Sequence, residues 1–61
     1  MKKIKKLNLE EFESKYSLRK RISCGINYED GSIETVLSMP FSYIMFIIKR
    51  SKKVVKYIAT S

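Results

Sequence analysis

The chain has 61 residues, 13 lysines and arginines against six aspartates and glutamates, and a formal net charge of +7. That length accommodates one domain at most, and a chain so short buries only roughly 60 % of the surface its unfolded form exposes. A lone cysteine, Cys24, excludes an intrachain disulfide; with no histidine the chain has no recognisable zinc-ligand spacing, and Glu29-Asp30-Gly31-Ser32 is too poor in oxygens for a calcium loop.

With disulfides and metals set aside, self-association is the expected support for so small a core, and the chain is expected to be a homo-oligomer. The start, Met1-Lys2-Lys3-Ile4-Lys5-Lys6, has the charge of a signal-peptide n-region. Asn8, Glu10, Glu11 and Glu13 then stand where an apolar segment belongs, so no signal peptide is expected. The longest apolar run, Met39 to Ile48 with Ser42 inside it, is short of the roughly 20 residues that span a bilayer. No transmembrane span is expected, and a single thiol suits a reducing, cytoplasmic setting.

Charge is laid down in blocks. Lys2, Lys3, Lys5 and Lys6 form the first basic block, Lys15, Arg19, Lys20 and Arg21 the second, and Lys49, Arg50, Lys52, Lys53 and Lys56 the third. Acids lie between them: Glu10, Glu11 and Glu13, then Glu29, Asp30 and Glu34. Lysine outnumbers arginine ten to three, and isoleucine is the commonest apolar residue, a mix that an AT-rich coding sequence also produces. Hydrophobic residues make up 44 % of the chain and are spread throughout, which fits a folded domain and not a disordered basic tail.

Residues 1–7 read as a basic arm. Asn8 is a good N-cap, with Glu11 three residues on as in a capping box and acids in the first turns where the helix dipole favours them. Leu9, Phe12 and Tyr16 repeat at helical spacing, so the pattern predicts a helix over 9–16. From Arg19 to Tyr28 the period changes to two, with Ile22, Cys24, Ile26 and Tyr28 alternating with Arg21, Ser23, Gly25 and Asn27. Asp30-Gly31 then marks a turn, and Ser32 to Met39 returns with Ile33, Thr35 and Leu37 on one face, so 19–39 reads as a β-hairpin.

The last third has two readings. Phe41, Ile44, Ile48, Val55 and Ile58 share a helical face, Ser42, Lys49, Lys53, Lys56 and Thr60 lie opposite, Ser38 is placed to cap and Pro40 to occupy the first turn. This predicts one basic helix over 40–58. The alternative makes the same stretch two further strands of a four-stranded antiparallel sheet, favoured by its β-branched and aromatic content but lacking a turn residue between Lys49 and Lys53. The expected class is α+β: short N-terminal helix, antiparallel hairpin, longer C-terminal helix.

No catalytic constellation is present in the residue pattern. Cys24 has no histidine to activate it and alternates with apolar neighbours, so it reads as a small buried hydrophobe. The carboxylates sit at a helix start and beside a turn, solvated places, and Gly25 and Gly31 fit no phosphate-loop spacing. No enzyme activity, cofactor, metal or small-molecule substrate is expected. The bland reading of the basic blocks is a solvated surface. The functional reading is a phosphate-binding surface made by Arg19, Lys20, Arg21, Lys49, Arg50, Lys52, Lys53 and Lys56, with Tyr16, Tyr28 and Tyr57 available to stack on single strands.

From Tyr43 to Ile48 every residue is apolar or aromatic, a segment that wants burial on all sides. Tyr43, Phe46 and Ile47 are therefore expected at a protein interface, in a homodimer or against another protein; shallow insertion into an anionic membrane is a third use. Two functions follow as expectations. The first is a small nucleic-acid-binding accessory protein, acting as a homodimer. The alternative is a phage-type or mobile-element protein that binds and inhibits or modulates a host protein with an acidic surface through its apolar C-terminal segment.

Overall fold

A computed structural model describes residues 4–60. The elements run β1 (Lys5–Leu7), α1 (Leu9–Tyr16), β2 (Ile22–Tyr28), β3 (Ile33–Met39), α2 (Phe41–Ser51) and β4 (Val55–Thr60). The strands form one sheet in the order β1-β4-β2-β3, with every neighbouring pair antiparallel. It follows that β1 and β2 run parallel with β4 between them, and β3 and β4 run parallel with β2 between them. Each helix links the two outer members of such a triplet.

The α1 start is capped as its sequence asks. The Asn8 side-chain oxygen accepts from the Glu11 backbone N–H at 2.8 Å, and Glu11 Oε1 accepts from the Asn8 N–H at 3.2 Å. The hairpin is also as expected. Gly31 takes φ of +94°, its N–H reaches the Tyr28 carbonyl at 3.1 Å, and the Tyr28 N–H donates to the Ser32 carbonyl at 2.9 Å. A three-residue loop with glycine in the left-handed position is a common way to close two twisted strands.

Four expectations are corrected. The helix expected over 40–58 is two elements, α2 ending at Ser51 and β4 beginning at Val55. Lys52 ends α2 in the left-handed conformation (φ 57°), and its N–H turns back to the Lys49 carbonyl. The helical spacing through Val55 and Ile58 was a coincidence of a stretch that also alternates: Ile58 and Thr60 are buried, while Tyr57 and Ala59 face the other side of the sheet. Of the arm expected over 1–7, residues 1–3 lie outside the described residues, and Lys5–Leu7 form β1, which pairs with β4 through Lys5↔Thr60, Lys6↔Ala59 and Leu7↔Ile58. The four-stranded antiparallel alternative was right in strand number, but only one strand comes from the last third. Ser38 does not cap α2 either. Pro40 occupies the cap position without a side-chain bond, while Ser38 sits at φ 51° in a bulge of β3, its N–H donating to Ser23 Oγ at 3.0 Å.

Both helices cover one face. α1 lies against β1 and β4, and α2 against β3. The core between the layers is Leu7, Phe12, Ile22, Cys24, Ile26, Tyr28, Val36, Ile44, Ile48 and Ile58. The Phe12 ring joins the helices, stacked 5.2 Å from Tyr16 on its own helix and 5.6 Å from Phe41 on α2. The opposite face of the sheet is bare. It carries Lys6, Asn27, Tyr57 and Thr35 around a low floor of Gly25 and Ala59, and a side chain at Gly25 would meet nothing within 4 Å.

Candidate functional site

Register decides where the charges stand. Lys5 pairs with Thr60, and Thr60 with Cys24, so the start of β1 and the start of β2 share one end of the sheet. Arg19, Lys20 and Arg21 lead into β2 at that end. The last turn of α1, with Lys15, reaches the same place, because Tyr16 donates to Thr60 Oγ1 at 3.4 Å. Lys5, Lys15, Arg19, Lys20 and Arg21 thus converge on one end, called here the far end. Their side chains are exposed, and Arg21 Nη1 donates to the Ser38 carbonyl at 3.1 Å.

The hairpin turn marks the other end. Lys49 and Arg50 in the last turn of α2, Lys52, Lys53, and Lys56 at the start of β4 all lie there. So do Glu10 and Glu11 at the α1 start, Glu29 and Asp30 in the turn, and Glu34 near the start of β3. Only Glu13, halfway along α1, stands between the two ends. The third basic block therefore does not form the lysine stripe expected of a continuous helix, and it is interleaved with acids. Lys53 illustrates this: its Nζ is 3.3 Å from Asp30 Oδ2, 2.9 Å from Ser32 Oγ and 5.4 Å from the Tyr28 ring centre.

Asp30 is held below the usual carboxylate range, from 3.8 to about 2. The Ser32 hydroxyl and backbone N–H contribute most, at 2.6 and 2.8 Å, with Lys53 adding to them. Cys24 is buried on the core face of β2, and desolvation pushes its thiol up to about 11, so it stays protonated at neutral pH. Among the described residues no three His, Cys, Asp or Glu side chains gather as a metal site, and no helix is long and apolar enough to cross a membrane.

The three tyrosines expected to stack on bases are separated by the fold. Tyr28 is buried at 3 % exposure and Tyr16 is half-buried against Phe12. Tyr57 alone of the three lies on the bare sheet face, where Lys6 Nζ sits 5.0 Å from its ring centre.

The expected interface residues do come together. Tyr43, Phe46 and Ile47 line a groove of about 430 Å³ beside β3, with Glu34, Arg50, Ser51 and Lys53 completing it. Tyr43 and Phe46 remain 41 % and 57 % exposed, whereas Ile44 and Ile48 on the inner side of α2 are buried. Sequence reasoning missed the part played by Lys5, Lys15 and Glu34. Nothing local flags them: strand register and the course of α1 bring them to their places. Comparison with protein-family models, with curated proteins and with solved structures returned no match.

Proposed function

We propose that this chain is a non-enzymatic nucleic-acid-binding protein that grips phosphates at the far end of its sheet. The reading rests on the separation of charge by register: Lys5, Lys15, Arg19, Lys20 and Arg21 share an end and make no ion pair among the described residues, while the third basic block is interleaved with carboxylates. Each phosphate neutralised there releases counterions, so binding should be tight at low salt and weak at high salt. Arg19 and Arg21 add forked donors suited to phosphate oxygens. Tyr57, half-buried beside Lys6 on the bare face, supports a preference for single strands, whose bases can stack on it.

An anisotropy titration against salt tests this. Arg19→Ala and Lys20→Ala should each lower the slope of log affinity against log salt by about 1, while Lys49→Ala and Lys53→Ala leave it nearly unchanged. Absence of binding to random duplex and single-stranded DNA and RNA at low salt ends the proposal.

A second reading has its own support. Tyr43, Phe46 and Ile47 converge on an open groove, which favours docking of a protein surface. On that reading Phe46→Glu abolishes activity and substitutions at the far end are mild.

A further inference from the structure

β3 is the outer strand of the sheet. β2 lies on one side of it, and no strand among the described residues lies on the other. The Tyr28–Ser32 bond fixes the alternation along this pair: Ile26/Glu34 and Cys24/Val36 exchange hydrogen bonds, and Ile33 and Thr35 turn their N–H and C=O groups outward. Leu37 continues that set, and the bulge at Ser38 lies just beyond it. The side chains of Ile33, Thr35 and Leu37 all stand on the bare face, with Ile33 64 % and Leu37 73 % exposed. The stretch Ile33–Leu37 before the bulge is an edge with exposed apolar residues and no covering strand among the described residues, a template for strand addition.

We infer that the β3 edge pairs with β3 of a second copy, antiparallel about a two-fold axis at Thr35, joining two sheets into one of eight strands. The sequence of the edge is self-complementary in that register. Thr35 meets the partner copy's Thr35, and Ile33 meets Leu37 of the partner copy on both sides of the axis, so the two most exposed apolar residues of the strand cover each other. On the helix side of the same edge lies the groove of Tyr43, Phe46 and Ile47, whose charged lining has both signs: Glu34 with Arg50 and Lys53. In this register Glu34 stands across from Val36 of the partner copy and not from its Glu34, whereas a uniformly acidic surface or a polyanion would set like charge directly against it. The isologous contact closes on itself and leaves the far ends free. It does not depend on the nucleic-acid reading.

Sedimentation of nuclease-treated protein at high salt tests the pairing without nucleic acid. The expected particle is twice the 7.2 kDa chain. Thr35→Pro and Leu37→Lys should each give monomers with unchanged circular dichroism, since the Thr35 N–H has no partner among the described residues and an outer strand tolerates proline there. Leu18→Lys, 96 % exposed elsewhere, should leave the dimer intact. Register is read by oxidation: Thr35→Cys should cross-link to its own copy through the axis, and Glu34→Cys, on the helix face and across from Val36 of the partner copy, should not. The inference is overturned if the wild-type chain is monomeric at every accessible concentration, with the edge covered only when another protein is added. A dimer that survives both Thr35→Pro and Leu37→Lys, or one that Glu34→Cys traps and Thr35→Cys does not, also overturns it.

Discussion

Tyr28 shows how much one hydroxyl matters in a core this small. Its ring fills the space under the Lys53 side chain, and its hydroxyl is buried with no hydrogen-bond partner among the described residues. Leaving such a group unpaired costs roughly 1–3 kcal/mol. Tyr28→Phe is therefore expected to raise stability by about 1 kcal/mol, seen as a higher denaturant midpoint at unchanged slope. Asp30 carries a pH signature. Its folded pKa is depressed, so its stabilising contribution is fully present above about pH 4 and is lost as pH falls towards 2. Replacing it by Asn should flatten the acid limb of the stability curve in that window, measured by thermal melts at closely spaced pH. Cys24 offers a check on the core: with its thiol pushed up to about 11 and buried, it should resist a thiol reagent at pH 8 until denaturant is added.

At the scale of elements, local signals were legible and non-local ones were not. The α1 helix announces itself through Asn8, Glu11 and the Phe12–Tyr16 spacing, and the hairpin through Gly31, because each depends on residues within a turn or two of one another. The boundary at Ser51 has no such mark. It falls in a run of lysines and arginine without Gly, Asn, Asp or Pro, and Lys52 takes a left-handed conformation that glycine adopts at less cost. Lys52→Gly is accordingly expected to stabilise the fold by about 0.5–1 kcal/mol, and Asn8→Ala to destabilise it by about 1 kcal/mol; chemical denaturation of both variants decides. β4 has the β-branched and aromatic content of a strand, but β1 is a strand only because it pairs with β4 and buries Leu7 against Ile58, a demand that the propensity of Lys5–Leu7 does not express. The groove residues Tyr43, Phe46 and Ile47 were legible from their apolar surplus. The basic end was only half legible, because Lys5 and Lys15 join Arg19, Lys20 and Arg21 through pairing across the sheet.

At the scale of the molecule, charge works against the fold. The chain carries +7, and Lys53–Asp30 is the single ion pair among the described residues. Repulsion among the bases at the far end is expected to outweigh what one exposed pair returns. Raising sodium chloride from low ionic strength should therefore raise the thermal midpoint, each kcal/mol recovered moving it by about 4–8 °C in a domain of this size. A midpoint that falls with salt would show that attractive pairs dominate. Arg19→Glu should raise the midpoint at low salt and weaken phosphate binding together, which links the charge that strains the domain to the charge proposed to serve it.

The interleaving of the strands has a temporal side. β4 is the last element in chain order, yet it lies between β1 and β2 and supplies Ile58 and Thr60 to the interior. During synthesis the earlier segments have a hairpin and two amphipathic helices but no completed layer to pack on. Most of the contacts that hold β1 in place span nearly the full chain, the kind that slows folding because a large loop must close before it is rewarded. Until β4 leaves the ribosome, the side of β2 that it will cover is open in addition to the outward edge of β3, and the nascent chain is at its most vulnerable to pairing with the wrong strand.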